Sequence, residues 1–183
     1  MTTTGHLRRA LVPAFLLLAS LAPAADPAEY IFCGYNLKNW LKMERYTDGK
    51  TDSAVGKPED EKRRVIEILT KIHPDVLGVC EVGDEEDVLD LQKRLKKAGV
   101  DLPHLERANG GDTTRTLALL SRFPIVARDS QRTLSYKMGD QTMPFQRGIL
   151  DAMGEFHPAL QVRLLGLHLK AVREATEGDQ NLQ

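Results

Sequence analysis

The alternation of apolar and polar positions divides the chain into two halves of different character. Tyr30 to Asn36, YIFCGYN, is a short β-prone run, and the polar, glycine-bearing stretch from Met43 to Lys57 predicts an exposed loop that overhangs whatever lies at the end of that strand. KPEDEKRRVIEILTKIHPD then predicts a helix. Pro58 stands at an early position, Glu59, Asp60 and Glu61 suit the positive end of the helix dipole, and Val65, Ile68, Leu69 and Ile72 recur at helical spacing until Pro74 ends it. Val76, Leu77, Val79 and Val82 predict a buried strand. DEEDVLDLQKRLKKAG predicts a second helix, capped by Asp84, striped by Val88, Leu91, Leu95 and Ala98, and stopped by Gly99.

From Thr114 onward no comparable helix recurs. TRTLALLSRFPIVARDS, FQRGILDAMGEF and LQVRLLGLHLK are apolar or alternating runs punctuated by Pro, Gly, Asp and Ser, the pattern of antiparallel strands. A strand-helix-strand-helix opening followed by a meander predicts an α/β architecture of sheets packed on each other with helices outside. No internal repeat or low-complexity tract interrupts it.

The first residues read differently. Arg8 and Arg9 precede an apolar run from Ala10 to about Ala22, followed by Pro23 and Ala24, which is the pattern of a secretory signal peptide over residues 1–24. The run is shorter than the roughly 20 residues of a membrane span, and Pro13 and Pro23 interrupt it. Residues 25–183 then form one domain, expected in the periplasm or outside the cell. Losing Arg8 and Arg9 takes the formal charge from −1 to roughly −3, so the strongly basic balance of a dedicated nucleic-acid binder is absent. With 42% hydrophobic and 28% charged residues the composition is that of an ordinary globular domain. The two cysteines, Cys33 and Cys80, lie in apolar strand-like runs. If Asn36 and Glu81 share one level of parallel strands, both thiols lie on the opposite face, staggered by two residues and about 8 Å apart, too far for a disulfide.

One residue stands out against this pattern. Glu81 follows an apolar strand without an intervening turn residue, where an unmatched charge is costly to desolvate, so a cation is its natural partner. Asn36 and His168 also stand at or near the downstream ends of strand-like runs, the edge where sheet proteins commonly build sites. A hard divalent ion takes oxygen ligands, one or two carboxylates and the phosphate of a substrate. Glu81 and the amide oxygen of Asn36 suit such an ion, with His168 as a donor to a phosphate oxygen or leaving group and Arg147 as a planar cation for the same phosphate. Singly, each has an ordinary reading: Asn36 as a turn former, Glu81 as an acid near a helix start, His168 as a rim histidine, Arg147 as a solvent-facing strand residue.

Taken in order, YNLKNW, PDVLGVCEVG, TLALLSRFPI, FQRGILDA and LGLHLK resemble the endonuclease/exonuclease/phosphatase superfamily, over Tyr30 to Gln183. The resemblance implies a four-layered sandwich of two mixed β-sheets with outer helices, incomplete at the C-terminus. It implies Asn36 and Glu81 as metal ligands and His168 as the first of two catalytic histidines. Arg147 is implied as a phosphate-contacting arginine, and Lys170 beside His168 is a further phosphate-side candidate. The cofactor implied is Mg²⁺, with Mn²⁺ or Ca²⁺ as substitutes. The substrate implied is a phosphoester, whether nucleic acid, lipid headgroup or small molecule, and no stable protein partner is expected. Members of the superfamily continue into a helix, a Gly-Asp-x-Asn motif, an aspartate and a water-activating Asp-His pair. On this reading those parts lie beyond Gln183, and the 183 residues alone are expected to be inactive. The alternative is a non-catalytic secreted binding module that keeps part of the fold. A zinc hydrolase is disfavoured by the lack of His-Glu-x-x-His or clustered His and Cys ligands.

Overall fold

Two amphipathic helices cover one face of a four-stranded sheet, and a second sheet covers the other. The computed structural model describes residues 29–47 and 49–169; the leader expected over residues 1–24 and Lys170 lie outside them. In chain order the elements are β1 (Phe32–Trp40), β2 (Met43–Thr47), β3 (Lys50–Val55), α1 (Glu59–Ile72), β4 (Val76–Val82), α2 (Glu85–Lys97), β5 (His104–Ala108), β6 (Thr116–Ser121), β7 (Ile125–Arg128), β8 (Ser135–Met138), β9 (Gln141–Pro144), β10 (Leu150–His157) and β11 (Leu160–Gly166).

Both helices form for the reasons their sequences give. The first turn of α1 carries Glu59, Asp60 and Glu61, and His73 closes the helix in the left-handed region just before Pro74. The Asp84 side chain accepts from the Asp87 amide at the start of α2, as a capping residue should. Val65 and Leu69 from α1 join Val88, Leu91 and Leu95 from α2, packing on Leu37, Trp40, Leu77, Val79, Val82, Ala118 and Leu120 of the sheet. Burial of each fully enclosed leucine here is worth roughly 1.5–3 kcal/mol. The stripe of α1 is narrower than its periodicity predicts, since Ile68 and Ile72 remain substantially exposed.

The first sheet has the order β1-β4-β6-β5, with β1 and β4 parallel and the remaining pairs antiparallel, so it is mixed as expected. Its other face, through Val76, Ala108, Leu117 and Leu119, meets Ile125, Leu150, Ala152 and Phe156 of the second sheet. That sheet has the order β11-β10-β7 and, among the described residues, is antiparallel throughout. Three layers are therefore in place, helices, sheet and sheet; among the described residues no helix lies on the outer face of the second sheet. No described helix is long and apolar enough to cross a membrane.

Two expectations are corrected. The polar stretch after Met43 is a β-hairpin, β2-β3, and not a bare loop; it turns at Gly49, whose φ is +79°. Its base is held by Arg45, which donates from Nη2 to the Asn39 carbonyl (2.8 Å) and from Nε to the Val55 carbonyl (3.3 Å). Arg147 is not in a strand but in the bend between β9 and β10.

Candidate active site

The parallel pairing of β1 with β4 runs regularly from Phe32 opposite Val76 to Asn36 opposite Cys80, then resumes only at Trp40 opposite Val82. On its other side β4 pairs Cys80 with Leu117 and Val82 with Thr116, leaving Glu81 as an extra residue. Glu81 has φ +58°, and Lys38 and Asn39 across from it have φ +50° and +63°. Glu81 and Lys38 each cost about 1–2 kcal/mol there and Asn39, which tolerates this region, less, so together they mark a backbone held in place by its surroundings. Simple alternation would send Glu81 after Leu77 and Val79 toward the helices. The bulge turns it instead to Asn36.

The holding groups are identifiable. Lys57, almost fully buried, donates from Nζ to the Lys38 carbonyl at 3.2 Å and to Glu61 Oε2 at 2.6 Å. Arg115 Nε donates to Asn39 Oδ1 at 2.7 Å, the Gly83 amide donates to the Trp40 carbonyl at 3.0 Å, and Thr116 Oγ1 donates to the Gly83 carbonyl at 2.8 Å.

Within this frame the Asn36 Nδ2 donates to Glu81 Oε1 at 3.1 Å, and Asn36 Oδ1 accepts from the Lys38 amide at 2.8 Å. His168, two residues past the end of β11, places Nε2 3.7 Å from the same Glu81 Oε1. Residues from both sheets thus meet at one carboxylate. Arg147 is paired through Nη1 with Asp112 Oδ2. Its charge is near enough to oppose the burial that, with the neighbouring Glu81 charge, raises the Cys80 thiol above its ordinary pKa. Arg147 and His168 also line one cavity.

Asp112 is the residue that sequence reasoning passed over. Burial alone would raise its pKa. The Thr114 hydroxyl and amide, the Arg147 guanidinium and the Arg115 amide outweigh that and hold it at about 2. The segment carrying it lies against the segment carrying Arg147: the Gly111 amide donates to the Phe145 carbonyl and the Asp112 amide to the Gln146 carbonyl, at 2.8 and 2.9 Å. A Cβ on Gly110 would come within 2.5 Å of the Gly148 nitrogen, and one on Gly148 within 2.3 Å of the Asn109 oxygen. The glycine pair before Asp112 was the available signal. Also passed over was Gly178-Asp179-Gln180-Asn181, which fits Gly-Asp-x-Asn as written and lies outside the described residues.

Among the described residues no group of three or more His, Cys, Asp or Glu side chains is placed to hold a metal ion. Glu81 and Asn36 form a smaller set of hard oxygen donors, suited to an ion that keeps several waters. For both to offer oxygen to one ion, the Asn36 amide would have to present Oδ1 where it now presents Nδ2. The two side chains already lie within 3.1 Å of each other, close enough to share one ion. The donor chemistry therefore fits Mg²⁺.

No protein-family model matches the chain, and no curated protein matches it. Among solved structures it is similar to an endonuclease/exonuclease/phosphatase family protein from Leptotrichia buccalis, at 16% identity and a TM-score of 0.53, over 78% of this chain and 54% of that one. The chain therefore spans about half the length of that structure. A truncated TDP2 from Caenorhabditis elegans matches at 25% identity over 62% of this chain and 40% of that one, but its TM-score of 0.38 adds nothing to the assignment. Over the part it spans, the chain has the fold of the endonuclease/exonuclease/phosphatase superfamily.

Proposed function

We propose that this chain carries the metal side of the active site of an exported, Mg²⁺-dependent phosphoester hydrolase, with Mn²⁺ or Ca²⁺ as substitute ions. The observation that supports it most is the convergence of Asn36, Glu81 and His168, from two different sheets, on one carboxylate oxygen. The backbone that brings them together holds Lys38, Asn39 and Glu81 at positive φ.

Each group has a role set by its chemistry. Glu81 and Asn36 hold the ion, which when bound supplies positive charge to the phosphoryl oxygens. Arg147, fixed by Asp112, presents a planar cation to the same oxygens. That electrostatic help is the larger part of catalysis in such transfers. His168, within reach of Glu81, holds a proton at Nε2 for a phosphoryl oxygen or the leaving group. Lys170 stands two residues further on as a second phosphate-side cation. The substrate class is a phosphoester: nucleic acid, lipid headgroup or small molecule. Export rests on the leader pattern of residues 1–24.

The test is hydrolysis of bis(4-nitrophenyl) phosphate by the purified full-length protein. Turnover is expected with Mg²⁺, lost with a chelator and restored by Mn²⁺. A purified, folded protein that releases no nitrophenol with any divalent ion overturns the reading.

A further inference from the structure

Beside Arg147 and His168 lies a cavity of about 360 Å³ whose remaining lining, Gln146 apart, is largely apolar. Arg147 and His168 line it together with Tyr136, Met143, Phe145 and Leu167. The hairpin β8-β9 builds most of the apolar wall, with the Tyr136 and Phe145 rings edge to face at 5.4 Å between centroids. The backbone there is fixed independently of these side chains, since the Phe145 amide donates to the Leu134 carbonyl and its carbonyl accepts from Gly111, both at 2.8 Å. A larger cavity, about 460 Å³, runs between the two sheets, but no charged side chain lines it. The smaller one brings Arg147 and the histidine 3.7 Å from Glu81 together with apolar side chains. Its volume also falls within the range of small-molecule sites.

Resting on the phosphoester reading above, we propose that this cavity is a specificity subsite for phosphoesters whose ester group is bulky and apolar, with phosphate against Arg147 and His168 and the apolar group against Tyr136, Met143, Phe145 and Leu167. A methyl ester leaves those walls in water, whereas a hexyl or phenyl ester buries them. Burial of a group that size strengthens binding by about tenfold or more.

Calorimetric titration of the full-length protein in Mg²⁺ with methyl, hexyl and phenyl phosphate, and with phenol, tests this. Hexyl or phenyl phosphate is expected to bind at least about tenfold tighter than methyl phosphate. The better of the two tells a chain from a ring as the preferred occupant. Phenol, lacking the anchor, is expected to bind at least about tenfold more weakly than phenyl phosphate. Phe145→Ala and Met143→Ala, each with an unchanged circular dichroism spectrum, should reduce the preference to under about threefold. Equal affinity for all three phosphates, a preference that survives both substitutions, or phenol binding as tightly as phenyl phosphate overturns the subsite. Failure of the phosphoester reading looks different: no phosphate binds, whatever its substituent, and the subsite falls with it.

Discussion

Asn36 hydrogen-bonds Glu81 across 3.1 Å while standing in register with Cys80, one residue earlier. The contact therefore owes its existence to the bulge that inserts Glu81 into β4, and not to the ladder. A regular pairing would leave the two side chains on opposite faces of the sheet.

Removing the charge while keeping the shape tests the role of Glu81 directly. In the full-length protein Glu81→Gln is expected to abolish Mg²⁺-dependent phosphoester hydrolysis with the circular dichroism spectrum and melting temperature little changed. Wild-type turnover at saturating Mg²⁺ would sink the metal assignment.

Glu81→Gly separates backbone strain from chemistry. Relief of a left-handed non-glycine residue returns about 1–2 kcal/mol, and the flexibility of glycine in the unfolded chain takes back about 0.5–1 kcal/mol. The variant should be inactive yet within about 1 kcal/mol of wild-type stability or above it, as read by urea unfolding. A loss beyond about 2 kcal/mol would mean that the contacts of Glu81 hold the fold together.

Asp112 makes a prediction about acid. Its pKa, depressed to about 2 from an ordinary 3.8, gives stability that is complete above the ordinary value and fades as pH falls through about 2. Asp112→Asn should cost on the order of 2 kcal/mol at pH 7, at about 1.36 kcal/mol per pKa unit, with the gap from wild type closing toward pH 2. Urea midpoints of both proteins across that range decide it, and a gap independent of pH rejects the hydrogen bonds from Thr114, Arg147 and Arg115 as its source.

The cysteines are expected to stay free, for a better reason than strand parity gave. Cys33 stands opposite Leu77 and packs toward the helices, while Cys80 stands opposite Asn36 and packs toward the second sheet. They occupy opposite faces, three residues apart in register, about 10 Å along the strand at roughly 3.3 Å per residue. The expected shared face and two-residue stagger are thus both corrected. Burial raises both thiol pKa values, for Cys80 with the Glu81 charge adding to it. Intact mass after alkylation in denaturant without reductant should show two adducts; none would contradict the β1-β4 register.

Most of the local structure was legible because it follows from short-range rules. The acids and spacing of α1, the Asp84 cap and the apolar run of β4 each declare their element. The β2-β3 hairpin was not legible, because β3 is exposed throughout and no alternation records a strand that packs on nothing. Arg147 looked like a strand residue amid apolar neighbours, yet Gly148 at φ +67° packs against Asn109 and imposes a bend. Strand ends identified Asn36, Glu81 and His168 as candidates. Their contact depends on a bulge, which belongs to the pairing of two strands and is written in neither one. Asp112 meets Arg147 across 35 residues of chain, a distance over which local patterning is silent.

The two hydrogen bonds of the Asn36 amide give the site a built-in reporter. Its oxygen is engaged by the Lys38 amide, so an ion that claims that oxygen by turning the group over leaves the Lys38 N–H in search of another acceptor. The Lys38 carbonyl is in turn gripped by Lys57, whose ammonium also holds Glu61 in the first turn of α1. A cation bound to that oxygen would therefore disturb the Lys38 amide, beside a carbonyl already held by Lys57. If Mg²⁺ binds there, the Lys38 backbone resonance is expected to shift in a nuclear magnetic resonance titration, independent of any turnover.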